Sequence, residues 1–130
     1  MELNEKYCGG LTLNQYQNRA MQTCMETCDN PLYMVGLIHE EAGELQGKIN
    51  KAIRKGLLEF VNNKMVWRGT VEELEDFYAE LQKELGDILW AVAGTAKVFS
   101  WDLNGTGQTN LDKLASRAKR GVIVGEGDNR

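Results

Sequence analysis

Gly36-Leu37-Ile38-His39-Glu40-Glu41-Ala42-Gly43-Glu44-Leu45 is the stretch of sequence that decides the fold. At about 100° per residue, Glu41 falls near the middle of an apolar helical stripe, Glu44 lies at its edge and Glu40 one step further round. That stripe comprises Met34, Leu37, Ile38, Leu45, Ile49 and Ala52. Because an ionised carboxylate on a core-facing stripe is costly unless it is paired or bound to a metal, the helix carries charge that folding alone does not require.

A second long segment repeats this arrangement. Its apolar stripe comprises Leu74, Phe77, Tyr78, Leu81, Leu85, Ile88, Leu89 and Val92, and Glu84 and Asp87 lie three residues apart along one flank. If the two helices pack antiparallel through their stripes, Glu41 and Glu44 face Glu84 and Asp87. Four carboxylates without histidine or cysteine are hard oxygen ligands, which suit Mg²⁺ or Mn²⁺. The alternative interpretation is that these acids are solvated edges of amphipathic helices, since such spacings are common by chance.

Helix caps predict where the first two helices begin and end. Thr12 and Gln15 form a capping-box pattern, so a first helix is predicted from about residue 13 to about residue 28. Asp29-Asn30-Pro31 then interrupts it, and Pro31 suits the first turn of a second helix capped by Asp29 or Asn30. This helix is predicted to run to about residue 55, with Gly56 as its left-handed stop.

The second half of the chain contains two further predicted helices. Thr70-Val71-Glu72-Glu73 is another capping box, which predicts a long third helix to about residue 99. Residues 100–108 are predicted to form a loop, after which Thr109 or Asn110 caps a short fourth helix to about residue 120. Gly121 ends that helix, and the tail is predicted to be extended or irregular.

Between the second and third helices, two short β-type runs flank Asn62-Asn63. This pattern indicates a small hairpin, although an irregular loop fits residues 57–69 as well. The fold class predicted from the whole pattern is all-α, a bundle of about four helices with a hairpin or loop insertion at about residues 57–69. A single domain is expected to span residues 1–130.

Composition excludes several classes of protein. The chain has 130 residues, of which 42% are hydrophobic and 26% charged, so it is not disordered or fibrous. The net charge of −4 argues against a surface that coats nucleic acid. No apolar run approaches a membrane span, and the first residues lack the pattern of a signal peptide. We therefore expect a soluble, cytoplasmic protein without a membrane partner.

Three cysteines and one histidine offer a second potential metal site. Cys24 and Cys28 are four residues apart and would share a helix face, so with His39 they could clip a metal ion. The favoured interpretation is that these two residues and Cys8 are reduced thiols packed as small hydrophobic side chains, because no CxxC spacing is present.

The two acidic stretches together resemble a known signature. Residues 36–45, followed by Glu84-Leu85-Gly86-Asp87-Ile88-Leu89-Trp90, resemble the EExxE…ExxD signature of the MazG-like, all-α nucleoside triphosphate pyrophosphohydrolases. Residues 13–17 resemble the start of that family's first helix, residues 110–117 its last helix, and residues 120–130 the tail of many members. The segment between Glu44 and Glu84 is longer than in compact members, and the extra length falls at residues 57–69.

This resemblance implies a reaction and a set of ligands. The family hydrolyses a nucleoside triphosphate to the monophosphate and pyrophosphate with Mg²⁺, and Mn²⁺ is a possible substitute. Carried over by position, the metal ligands are Glu41, Glu44, Glu84 and Asp87. The catalytic residues are Glu41 and Glu40, the latter either a further ligand or the group that orients the attacking water.

Basic residues near the chain end are candidates for contacts with the substrate. Lys113 and Arg117 are four residues apart on one helix face, and with the resemblance they are predicted to bind the substrate's phosphates. The alternative is a solvated basic face, which the helix dipole favours in any case. Asn110 is a weaker substrate-binding candidate, because a helix cap would explain it fully.

Apolar side chains on more than one face, such as Trp90 and Val98, predict a homodimer or homotetramer, as does the resemblance. Trp90 could stack on a nucleobase or be buried in a subunit interface, and the interface is the favoured interpretation. The competing function is a non-catalytic helical module for oligomerisation or regulation, whose acids are surface features. A di-iron bundle fits poorly, because it normally needs Glu-x-x-His on two helices and the chain has one histidine.

Overall fold

A computed structural model describes residues 9–126 of the chain. In this structure the protein is all-α, with four α-helices and one two-stranded hairpin. The helices are α1 (Leu13–Ala20), α2 (Pro31–Arg54), α3 (Val71–Val98) and α4 (Leu103–Lys119), and the strands are β1 (Leu58–Val61) and β2 (Lys64–Trp67). Cys8 and the last four residues of the predicted tail lie outside the described residues.

Side-chain caps start three of the helices where the sequence predicts. At α1 the Gln15 N–H donates to Thr12 Oγ1, and the Thr12 N–H donates to Gln15 Oε1. The same reciprocal pair joins Thr70 and Glu73 at the start of α3. At the start of α2, Asn30 is the cap, and its Oδ1 accepts from the Tyr33 N–H at 2.8 Å. These bonds satisfy N–H groups that the first turn of a helix leaves without partners.

The long helices α2 and α3 form an antiparallel pair that makes the main body of the fold. Near the start of α2, the fully buried Met34 packs against Gly94 near the end of α3. Near the end of α2, Lys48 contacts Glu80 in the first half of α3. Ala91, Ala93 and Ala96 of α3 are also buried near this end, and Ala93 and Ala96 pack in one cluster with Leu103 of α4. Small residues therefore let the helices approach closely at one end, while charged residues meet further along.

The hairpin at the far end of the pair confirms the β-type pattern around the two asparagines. β1 and β2 pair antiparallel with Leu58 opposite Trp67, and Asn62 and Asn63 adopt φ values of 52° and 60°. Two consecutive positive φ values are typical of the tight hairpin turn that asparagine tolerates. Leu58 is buried and the Trp67 ring stacks on Phe77 at 5.1 Å between ring centroids, so the base of the hairpin is packed onto α3.

The first helix is shorter than predicted. α1 ends at Ala20, and the segment expected to continue it to residue 28 forms two 3₁₀ turns, Met21–Thr23 and Glu26–Cys28, separated by extended backbone. The indole N–H of Trp90 donates to Thr23 Oγ1 at 2.9 Å and to the Ala20 carbonyl at 3.3 Å. A contact from α3 thus holds the turn. The indole N–H of Trp90 is thus satisfied within the same chain, and its placement at a subunit interface stays a prediction.

The fourth helix starts earlier than predicted. Residues 103–108, expected to form a loop, are the first turns of α4, and the cap is Asp102 rather than Thr109 or Asn110. The Asp102 carboxylate accepts from the Gly105 N–H at 2.8 Å. A Cβ atom added at Gly107 would lie only 3.3 Å from the Leu13 side chain. The glycines that indicated a loop therefore include one that permits close packing inside a helix.

Buried Gln17 joins α1 to the turn between α3 and α4. Its side-chain amide donates to the carbonyls of Ala93 and Trp101, and its oxygen accepts from the Leu103 N–H. This amide satisfies three backbone groups at a point where the chain reverses direction. Within residues 9–126, none of the helices is both long and apolar enough to cross a bilayer.

Candidate functional site

Three carboxylates meet between α2 and α3. Glu41 on α2 and Glu84 and Asp87 on α3 each place one oxygen within 4.8 Å of the others. Glu84 and Asp87 share a helix face because they are three residues apart. The antiparallel packing of the two stripes therefore brings together three of the four residues that the sequence analysis nominates as metal ligands.

The three carboxylates differ in their exposure. Glu84 is only 7% exposed, Glu41 is half-buried, and Asp87 is exposed. A residue as buried as Glu84 does not fit the alternative in which these acids are solvated edges of helices. The exposed Asp87 leaves the group open to solvent on one side, so an ion has a route to it.

The surroundings of Glu41 disfavour its negative charge. Burial raises the pKa of Glu41 above its ordinary value, and the neighbouring charges of Glu44, Asp87, Glu40 and Glu84 raise it further. Such crowding costs free energy in the folded protein unless a cation compensates it. The site is therefore a place where a divalent ion would be stabilised.

Glu40 and Glu44 stand beside this group. Both are exposed on α2 and lie near enough for their charges to raise the pKa of Glu41. Neither belongs to the set of oxygens within 4.8 Å of one another. The assignment of Glu44 as a ligand and of Glu40 as the water-orienting residue stays a prediction.

A lysine that the sequence analysis did not single out contacts the acidic group. Lys48 Nζ lies 3.3 Å from Glu84 Oε1 and donates to Glu80 Oε2 at 2.8 Å. Lys83 donates to the other oxygen of Glu80, also at 2.8 Å. The hydrogen bond from Lys48, and to a smaller extent that from Lys83, lowers the pKa of Glu80 to about 2. The available signal was the spacing, because Lys48 follows Glu44 by four residues and Glu41 by seven, which places it on the same face of α2.

Two tyrosines border the acidic group. Burial raises the pKa of Tyr16, and the charge of Asp87 raises it further. A hydrogen bond with Cys28 is the main cause that raises the pKa of Tyr33, and the charges of Glu40 and Glu41 add to it. Tyr16 comes from α1, so only the tertiary fold places it here, whereas Tyr33 lies on α2 seven residues before Glu40 and therefore on the same face of that helix.

The predicted substrate-binding residues lie on α4, which packs against α1 and α3. Lys113 is exposed, whereas Arg117 is only 7% exposed, so Arg117 does not belong to a solvated basic face. Asn110 is exposed in the middle of the helix, and the explanation of Asn110 as a helix cap is therefore wrong. That all three contact the substrate stays a prediction.

The donor set fits a hard divalent cation. Carboxylate oxygens are the ligands that Mg²⁺ and Mn²⁺ prefer. In the part of the chain that the structure describes, Glu41, Glu84 and Asp87 are the group of three or more such side chains close enough to share an ion. Cys24 and Cys28 are half-buried free thiols and form no such group with His39 among the described residues.

Comparison with known proteins gives two findings. The family model for the MazG nucleotide pyrophosphohydrolase domain matches residues 30–122, a range that contains the acidic group, Lys48 and all of α4. The chain is also 41% identical over 98 residues to the Gene 37 protein of Mycobacterium phage L5, an alignment that covers 74% of this chain and 72% of the phage protein. No solved structure gives a significant match.

Proposed function

The chain belongs to the MazG nucleotide pyrophosphohydrolase family, and from that premise we propose that it hydrolyses nucleoside or deoxynucleoside triphosphates to the monophosphate and pyrophosphate with Mg²⁺. The observation that carries the proposal is the convergence of Glu41, Glu84 and Asp87 within 4.8 Å between two packed helices. Glu84 is only 7% exposed, which supports the proposal because a buried carboxylate is costly to folding unless its charge is compensated.

In this proposal Glu41, Glu84 and Asp87 hold the metal ion, and Glu44 completes the set from the next turn of α2. When bound, Mg²⁺ supplies neutralisation of the polyphosphate charge and lowers the pKa of a nearby water. Mn²⁺ would serve in the same place, since its ligand preferences are similar. The exposed side of the group, at Asp87, is where the substrate's phosphates would approach.

The remaining residues act on water and phosphate. Glu40 lies next to Glu41 and is exposed, so its carboxylate is available to accept a hydrogen bond from the attacking water and orient it. The water oxygen bonds to the α-phosphorus and its proton is released to solvent, while the bond from that phosphorus to the bridging oxygen breaks and pyrophosphate leaves. Lys113 and Arg117 would contact the outer phosphates as cations, and Asn110 would donate from its amide.

Release of pyrophosphate tests the proposal. Wild-type protein is incubated with a panel of ribonucleoside, deoxyribonucleoside and damaged-base triphosphates, with Mg²⁺ or with EDTA. The expected result is Mg²⁺-dependent turnover of some members, lost in Glu84→Gln and retained in the matched control Glu75→Gln, which removes an exposed carboxylate from the same helix. Absence of turnover and of any Mg²⁺-dependent rise in melting temperature would instead favour the non-catalytic helical module.

The proposal includes the assembly and the location of the protein. A homodimer or homotetramer is supported by large apolar side chains that stay exposed on three helices, such as Leu32 (88%), Leu85 (57%) and Leu111 (60%). A cytoplasmic protein that binds free nucleotides and no nucleic-acid polymer is supported by the acidic net charge. Sedimentation at micromolar concentration tests the assembly, and a monomer would contradict it.

A further inference from the structure

Lys48 is a cation that directly contacts the acidic group. Its Nζ lies 3.3 Å from Glu84 Oε1 and 2.8 Å from Glu80 Oε2, so the ammonium bridges a carboxylate of the group and one outside it. Glu84 has 9% of its side chain exposed, which means that little solvent screens this contact on the side of Glu84. In the metal-free protein, Lys48 therefore offsets part of the repulsion among the three carboxylates.

A divalent ion bound to the same carboxylates would meet this ammonium as a like charge. Both cations interact with Glu84, and two like charges that share one partner oppose each other's binding. The opposition is reciprocal, because a coupling free energy between two binding events acts equally in both directions. Glu80 gives the ammonium an alternative partner, so Lys48 keeps one strong contact when Glu84 is engaged elsewhere.

We propose that Lys48 is a built-in counter-ion of the acidic group that competes with the metal ion for Glu84 and thereby lowers the metal affinity of the site. The inference rests on the proposed function only in taking Glu84 as a metal ligand. Its consequence is that the metal-free site is stable enough to persist while the metal ion stays exchangeable. Lys48 acts through Glu84 and is not a catalytic residue.

Metal binding without nucleotide tests the inference. Mn²⁺ is titrated into wild type and Lys48→Met, and the free ion is counted from its electron paramagnetic resonance signal. We expect Lys48→Met to bind Mn²⁺ about tenfold more tightly, because the substitution removes a unit positive charge that only the Glu84 carboxylate separates from the divalent ion. Urea unfolding without metal should show the opposite trend, a less stable protein. Raising the ionic strength should reduce the difference in affinity, which a purely structural role would not produce.

Matched variants separate the charge from the packing. Lys83→Met removes the other lysine that contacts Glu80. Among the described residues, Lys83 forms an ion pair with Glu80 alone, so this variant should keep a Mn²⁺ affinity within about twofold of wild type. Lys48→Arg keeps the charge and should keep the wild-type affinity. If Lys48→Met does not fold, Lys48→Gln makes the same test with a polar side chain of similar length.

The outcomes are distinct from those of the proposed function. Weaker or unchanged Mn²⁺ binding in the folded variant that lacks the charge would overturn the counter-ion role. Failure of wild type to bind Mn²⁺ at all, with Glu84→Gln indistinguishable from it, would overturn the metal site itself. Tighter binding in Lys48→Met and Lys48→Gln, but not in Lys83→Met or Lys48→Arg, supports the inference.

Discussion

Replacing Glu41 with glutamine separates the contribution of this residue to activity from its effect on stability. The carboxylate lies within 4.8 Å of two others, and burial together with four neighbouring acids raises its pKa. Glutamine keeps the shape and removes the charge, so the metal-free protein should become more stable. Hydrolysis should be lost, because an amide is a poor ligand for Mg²⁺ where a carboxylate is needed.

The size of the gain follows from the spacing of the charges. Two like charges 4.8 Å apart, the largest separation among these oxygens, repel by about 0.9 kcal/mol in water and by about 3.5 kcal/mol at an effective dielectric constant near 20. Because Asp87 leaves the group open to solvent, we expect a value in the lower part of this range, about 1 kcal/mol. For a chain of this length that corresponds to a rise in melting temperature of about 4 °C.

The gain should depend on pH with a defined sign. The pKa of Glu41 is higher in the folded protein than its ordinary value of 4.5, so the folded state holds this proton more tightly than the unfolded state. The penalty from Glu41 is therefore absent below pH 4.5, grows as the pH rises through the raised pKa, and is complete above it. Wild type and Glu41→Gln should have similar stability near pH 4 and differ at pH 7.

Urea unfolding in EDTA across this pH range, together with pyrophosphate release in Mg²⁺, provides the measurement. Glu75→Gln is the control and should change stability by less than about 0.5 kcal/mol with turnover retained. Retained turnover in Glu41→Gln would refute the catalytic role. Lost turnover with clearly reduced stability would refute the electrostatic reasoning, since it would mean that the folded protein relies on hydrogen bonds to the carboxylate.

Three further substitutions test the fold around the site. Gly94→Ala places a Cβ against the fully buried Met34 Sδ and should lower the free energy of unfolding by about 1–3 kcal/mol, measured by urea titration. Gly47→Ala lies on the exposed side of α2, with no atom near the added Cβ, and should raise the free energy of unfolding by about 0.5–1 kcal/mol. A loss of stability that depends on protein concentration would instead indicate that another chain covers this face. Asp102→Ala removes the cap of α4 and should lower the urea midpoint at pH 7. The Gly105 N–H lowers the pKa of Asp102, so the carboxylate stabilises the folded protein above pH 3.8. The difference in stability from wild type should therefore vanish only as the pH falls below 3.8 and through that lowered pKa.

Local signals predicted most of the fold, and long-range contacts explain the rest. Residues close in sequence form the capping boxes at Thr12 and Thr70 and the turn at Asn62 and Asn63, so the local sequence is sufficient to predict these features. The end of α1 depends on a hydrogen bond from Trp90, 70 residues away, which no local pattern contains.

The candidate site divides in the same way. Helical phase alone places Glu41 on the packed face of α2 and Glu84 with Asp87 on one flank of α3, which is why their convergence could be expected. The partner of Lys48 depends on the register between the helices, because a shift of one turn would pair it with different acids. The early start of α4 was missed because Gly105 and Gly107 favoured a loop, whereas Asp102 was the cap to recognise.

Asn14 in the first turn of α1 and Asn104 in the first turn of α4 join these two helices to each other. The backbone N–H of Asn104 donates to Asn14 Oδ1 at 2.8 Å, and that of Asn14 donates to Asn104 Oδ1 at 3.2 Å, across 90 residues of sequence. Closing a loop of this length costs about 4 kcal/mol of chain entropy, which these exposed hydrogen bonds offset only in part, so the closure also relies on the buried contacts of Gln17. Glu41, Glu84 and Asp87, in contrast, all lie on the α2–α3 pair, whose ends the short hairpin joins. Separation of the two asparagines would therefore leave these carboxylates facing one another, so the acidic group is expected to assemble before α1 meets α4 and to persist when the two helices separate.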